Sequence, residues 1–157
     1  MTSAEARAQA TAIHRMVEAA RRSENPRVIT RMPSGWAVMG EAQFLPGYCL
    51  LLPDPVVGNI NDLDEAGRAR FLLDMTNLGD AVTVVCRPRR VNYEMLGNLE
   101  PALHAHVIPR YEHEREDLRT KAVWMYPPEF WTDPAHAFDP ARHAAVMNEL
   151  RDALSRQ

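Results

Sequence analysis

Residues 100–111 read EPALHAHVIPRY and hold the side chains best suited to chemistry: His104 and His106, two of the six histidines, one residue apart between apolar neighbours. On a strand, alternate side chains share a face, so both imidazoles line one surface while Ala105 and Val107 point to the other, into the core. Three kinds of chemistry fit. The pair can be two polar residues on a half-exposed strand. It can be a bidentate metal clip, which needs a third and usually a fourth ligand. His113, among Glu112, Glu114 and Glu116, is the nearest candidate, but that run reads more simply as a solvated charged stretch. Or one neutral imidazole is a nucleophile, with one ring nitrogen exposed, the other held by an acceptor, and donors to steady a developing phosphate charge.

The flanks favour the third chemistry. Gly97 and Asn98 stand just before the histidines in LGNLEP. A glycine turn lets backbone amides approach an anion, and an asparagine side chain can donate to a phosphate oxygen. Gly-Asn alone is equally an ordinary turn. The order of glycine turn, His-x-His and then Pro109-Arg110 is what carries weight.

The elements that position this segment follow from periodicity and breakers. Residues 3–22 predict a helix with Ser3 as N-cap and Ile13, Met16, Val17 and Ala20 on one stripe; Asn25-Pro26 ends it. RVITRM (27–32) and WAVMG (36–40) predict a hairpin around Pro33-Ser34-Gly35. GYCLLLP (47–53) predicts a strand buried on both faces. Asn61 or Asp62 is expected to cap a long helix, with Asp64 and Glu65 in its first turn. Its apolar stripe is Phe71, Leu72, Met75, Leu78, Val82 and Val85, and Pro88 stops it. VNYEML (91–96) and LHAHVIPRY (103–111) predict strands. Residues 112–121 are expected to be exposed. WMYPPEFW (124–131) is too proline-rich for a helix and is expected to drape over a neighbour. Asp139-Pro140 opens a last helix with Val146, Leu150 and Leu154 inward. This is an α+β order in one domain.

Composition narrows the function class. The 157-residue chain is 46% hydrophobic and 25% charged with a net charge of −3, as expected of one folded domain and not of a disordered chain. No dense basic stripe is present, which argues against duplex nucleic acid as a partner. The small clusters Arg21–Arg22 and Arg87, Arg89, Arg90 hold a phosphate or lie solvated. Cys49 and Cys86 sit in apolar runs and are expected to be free buried thiols. No apolar run suits a membrane span, and the acid-bearing N-terminal stretch lacks the core of a signal peptide, so a cytoplasmic location is expected.

VNYEMLGNLEPALHAHVIPRY resembles the signature segment of the histidine-triad (HIT) superfamily, His-φ-His-φ-His-φ-φ with φ apolar, often followed by Pro-Arg. The likeness is to a bacterial branch of dinucleoside polyphosphate hydrolases and extends with lower specificity over residues 28–111. In the register fixed by Val107-Ile108-Pro109-Arg110, His106 matches the third histidine, His104 the middle one, and Ala102 stands where the first is expected. Gly40 in MGEAQ stands where the family tends to place an Asn or Asp near the ribose, with Glu41 the nearest carboxylate.

The resemblance implies an antiparallel sheet with a long helix between strands and helices at both termini, paired as a homodimer. It implies a small-molecule nucleotide as ligand and His104 as nucleophile on the α-phosphorus, forming a nucleotidyl-histidine without metal or cofactor. It implies that His106 assists the phosphate or leaving group, and that Asn98, Gly97, Asn92 and Glu41 lie in the nucleotide site. Two rivals stay open: a weakly active or inactive nucleotide-binding module, which the Ala102 departure fits, and a metal-dependent hydrolase built on the His-x-His pair.

Overall fold

The computed structural model describes residues 10–157. A five-stranded sheet, antiparallel at every pairing, runs β1 (Val28–Met32), β2 (Gly35–Met39), β3 (Cys49–Pro53), β5 (Ala105–Arg110), β4 (Arg90–Glu94) across its width. Helices α1 (Ala12–Arg21), α2 (Glu65–Cys86), a short α3 (Pro128–Thr132) and α4 (Pro140–Leu154) complete an α+β fold. The predicted hairpin is present, and β3 is buried along its whole length, as a strand covered on both faces must be.

The sheet separates two apolar layers. On one face Met39, Cys49, Leu51, Ala105 and Val107 pack with Phe71 and Leu78 of α2 and Leu150 of α4. On the other, Val38, Leu50, Leu52 and Ile108 meet Ile13 and Val17 of α1 and Tyr111, Leu118 and Val123 from the chain after β5. Period-two alternation along β5 therefore sends Ala105 and Val107 to the helix layer and His106 and Ile108 to the opposite one.

Several element ends differ from the sequence-based expectation, each for a local reason. Ser3 lies outside the described residues, and within them α1 begins at Ala12. There Thr11 Oγ1 accepts from the His14 amide at 3.3 Å and His14 Nδ1 accepts from the Thr11 amide at 3.3 Å, a reciprocal cap with histidine in the acid's place. The long helix is capped by Asp64, whose Oδ1 accepts from the Gly67 amide at 2.7 Å, because Asn59 and Asp62 cap a separate turn over Ile60–Asp62 and Leu63 is extended. It ends at Arg87, in the left-handed region at φ 51°, one residue before Pro88. Phe71, Met75, Leu78 and Val82 are buried, whereas Leu72 is exposed. Residues 124–131 are helical in part: a turn over Val123–Met125 and α3, in which Pro127 is the N-cap and Pro128 opens the helix, positions that need no amide donor. In α4, Asp139 is the cap, and Leu150, Met147 and Ala153 are its buried residues. Cys49 and Cys86 are both free, the first buried and the second half-buried.

The largest departure is in the stretch expected to be exposed. Arg110 and Glu114 are both buried and form a two-pronged ion pair, Nη2 to Oε2 at 2.8 Å and Nε to Oε1 at 3.1 Å. Arg110 also donates to the carbonyls of Lys121 at 2.6 Å and Leu118 at 3.1 Å. Glu114 further accepts from the Tyr111 amide at 2.5 Å and the Tyr126 hydroxyl at 2.6 Å. Burial alone would raise the Glu114 carboxyl, but the hydrogen bonds from Arg110, Tyr126 and the Tyr111 amide together hold it below the ordinary range. Removing one partner of such a pair strands the other charge. Glu114→Ala is expected to cost about 3–5 kcal/mol in urea denaturation, while Arg115→Ala, which breaks only the exposed pair with Asp117, leaves the midpoint unchanged. Equal midpoints for both variants would refute this.

Candidate active site

His104 lies at the entrance to β5, one residue before regular pairing begins, and not within the strand as the sequence suggests. Its loop is anchored where the Leu103 amide donates to the Val57 carbonyl at 2.8 Å. His106 is paired, facing Leu50 on β3 and Glu94 on β4. Both imidazoles are nevertheless side by side, ring centroids 4.8 Å apart at 72°, and both are buried.

Backbone and side-chain partners fix the ring tautomers. His104 Nδ1 lies 2.7 Å from the Ala102 carbonyl, which can only accept, so Nδ1 carries a proton and the neutral ring has its lone pair on Nε2. His106 Nδ1 lies 2.7 Å from the Tyr48 hydroxyl. Burial pushes the Tyr48 phenol well up, so it stays protonated, and it has no other acceptor among the described residues. Tyr48 thus donates to His106, which leaves the His106 proton on Nε2. Burial first and the neighbouring His104 second push His106 down to about 4, so the ring is neutral at pH 7. Two adjacent imidazoles then have opposite characters: a lone pair at His104 Nε2 and a donor at His106 Nε2.

Gly40 explains how Tyr48 reaches this place. The Gly40 amide donates to the Tyr48 carbonyl at 2.8 Å, continuing the β2–β3 pairing, and a Cβ at residue 40 would come within 2.2 Å of the Tyr48 ring. The glycine therefore makes room for an aromatic ring that supports His106. On the solvent side, Trp124 packs edge-on against His106 at 5.0 Å, stacks on Trp131 at 5.2 Å and 9°, and donates its indole N–H to Glu94.

The other residues singled out in the sequence are spread more widely. Asn92 shares this sheet face, and its Oδ1 accepts from Arg110 Nη1 at 3.1 Å. Gly97 adopts φ 130°, and Asn98 is exposed on the loop between β4 and β5. Glu41 is exposed, its carbonyl accepting from the Phe138 amide at 2.7 Å. His113 is exposed and stacks on Tyr111 at 5.1 Å. Among the described residues no three His, Cys, Asp or Glu side chains converge as a metal site, so the His-x-His pair has no third ligand there.

This arrangement of paired imidazoles on an antiparallel sheet can be compared with known proteins. The HIT-domain family model matches residues 21–113, more than half of the chain. The chain belongs to the HIT family. HIT proteins are in general nucleotide-binding proteins, hydrolases or transferases. No curated protein matches. Among solved structures, a histidine triad protein from Bradyrhizobium japonicum is similar at 24% identity and TM-score 0.67, over 86% of this chain and 95% of that one. One from Marinobacter aquaeolei VT8 is similar at 20% identity and TM-score 0.69, over 82% and 88%. A zinc-bound histidine triad family protein from Mycobacterium smegmatis is similar at 15% identity and TM-score 0.61, over 92% and 96%. These likenesses show the HIT fold. Among the described residues no helix is long and apolar enough to cross a membrane.

Sequence reasoning missed three neighbours of His106 beside this histidine pair: Tyr48, Glu94 and the specific placement of Trp124. Tyr48 was legible in principle, because extending the β2–β3 register by one pair sets it opposite Gly40. Trp124 was not, because it arrives through a fold of the chain that follows no period. The depressed His106 gives a pH test. The unfolded imidazole titrates near 6.5 and the folded one near 4, so the native state binds fewer protons between them. Stability is full above about pH 6.5 and falls as pH drops toward 4, by up to about 1.4 kcal/mol per pH unit from this residue. His106→Gln is expected to flatten that part of the urea-midpoint profile; identical slopes for both proteins would contradict the assignment.

Proposed function

We propose that this HIT-family chain is a cytoplasmic nucleotide hydrolase or nucleotidyl transferase. It acts at the α-phosphate of a nucleotide ester, an anhydride such as diadenosine tetraphosphate, or a phosphoramidate, with His104 as nucleophile. The observation that carries the reading is the 2.7 Å contact from His104 Nδ1 to the Ala102 carbonyl, which leaves Nε2 free to attack. Ala102 takes the first triad position and supplies this support through its backbone. The Nε2 lone pair forms the nitrogen–phosphorus bond as the bond from phosphorus to the leaving atom breaks. Water then attacks the nucleotidyl-histidine, its oxygen bonding phosphorus while the nitrogen–phosphorus pair returns to His104 and the water proton passes to solvent.

His106, neutral with a proton on Nε2, suits a hydrogen bond to a non-bridging phosphate oxygen better than acid catalysis. That favours the anhydride. A phosphate leaving group departs as an anion, whereas an amine requires an acidic proton, and His106, titrating near 4, lacks its imidazolium proton at pH 7. Gly97 and Asn98 on the adjacent loop are assigned to the phosphate, with Asn92 and Glu41 at the margins of the nucleotide site. Trp124 offers a face for stacking.

A second reading, a nucleotide-binding module with weak chemistry, is favoured by Ala102, which removes an imidazole. His104→Ala decides between them. It is expected to lower turnover of diadenosine tetraphosphate by about three orders of magnitude or more with an unchanged circular dichroism spectrum, and acid quenching of the parent protein should trap a labelled nucleotidyl-histidine. Parent-level turnover in the variant removes His104 from the mechanism; tight nucleotide binding without trapped adduct selects the module.

We also propose a homodimer across the free side of β4 and the exposed flank of α2, where Tyr93, Met95, Leu96, Leu99, Leu73 and Val84 are exposed. Sedimentation equilibrium is expected to give twice the chain mass; the monomer mass at micromolar concentration would overturn it.

A further inference from the structure

The guanidinium groups left over from the Arg110 network gather around a cleft of about 280 Å³ between β4, β5 and the chain that follows. Arg89, Arg90, Asn92, Arg110, Arg119 and Thr120 line it. The carboxylates paired with these arginines are Glu114, held by Arg110, and Glu112, shared by Arg89 at 3.2 Å and Arg119 at 3.1 Å. Four positive groups thus meet two negative ones. Arg90 forms no side-chain hydrogen bond or ion pair among the described residues, and Arg119 Nε is buried without an acceptor. Asn92 accepts from Arg110 through Oδ1, so its amide nitrogen is left as a donor.

Arg89 and Arg90 are exposed at the rim, while Arg119 Nε and the half-buried Asn92 amide find no acceptor, and donors in this surplus suit an anion with several oxygens. We propose that this cleft is a binding site for a multiply charged phosphate group, separate from the His104–His106 pair. Its position follows from the register. Glu94 faces His106, Asn92 faces Ile108 and Arg90 faces Arg110, so the cleft lies about 13 Å along the same sheet face from His106. Two sources share this chemistry: the distal phosphates of a nucleotide held at His104, which rests on the function proposed above, or a free polyphosphate anion.

Titration of the full chain with inorganic tripolyphosphate, followed by arginine side-chain nitrogen resonances, tests the site. The Arg119 Nε–H signal is expected to shift saturably, and Arg90→Gln or Arg89→Gln to weaken binding about tenfold by loss of a charge-assisted contact. No saturable shift, or equal affinity in parent and both variants, overturns the proposal. The source is read from kinetics. If Arg90→Gln raises KM for diadenosine tetraphosphate several-fold but leaves that for adenosine 5′-phosphoramidate unchanged, the substrate tail occupies the cleft. If both KM values stay unchanged while tripolyphosphate binding weakens, the ligand is a free anion. Should the protein hydrolyse neither nucleotide, the proposed function fails while the tripolyphosphate titration still decides the site.

Discussion

A buried guanidinium has to find acceptors for its N–H groups, and Arg110 finds them almost entirely in the chain that follows it. The Glu114 carboxylate and the carbonyls of Leu118 and Lys121 bend residues 111–121 around one side chain at the end of β5. Everything beyond depends on that bend. It delivers Val123 and Tyr126 to the second apolar layer and sets Trp124 against His106. A strand that ended in an apolar residue would bury a similar area, but it would not specify where the next fifteen or so residues go.

The chemistry of the two histidines rests on a different constraint, the assignment of two ring protons. A carbonyl that can only accept and a phenol that stays protonated force opposite tautomers on neighbouring imidazoles. Burial then keeps the pair from charging together, since one cation beside another in a poorly solvated site is doubly unfavourable. The local order of the site is thus set by Ala102 and Tyr48, neither of which need touch a substrate.

How much of this was legible depended on range. Strand alternation set Ala105 and Val107 on one face and His106 on the other, and turn residues bounded the hairpin and the long helix. The His-x-His spacing with its flanks pointed to the family. Charge was the misleading signal: EHEREDLR reads as solvent-exposed because nothing local marks Glu114 apart from Glu112 and Glu116, and only its distance from Arg110 in three dimensions does so. Helix starts were shifted for a similar reason. Several Asn and Asp residues compete to cap α2, and the extended backbone at Leu63 selects Asp64. His104 fell outside the strand because its loop is tied to Val57, a tertiary hydrogen bond with no sequence signature.

Position 102 carries its part through a main-chain oxygen. Every residue type supplies that oxygen, so the support of His104 is insulated from substitution in a way a side-chain support is not. The Ala102 methyl is left to the core, where it is 2% exposed in the apolar layer that also holds Ile13, Val17 and Leu52. What restricts this position is therefore volume and loop geometry, and a scan of side chains there would report on packing while remaining blind to the one atom that holds His104 Nδ1.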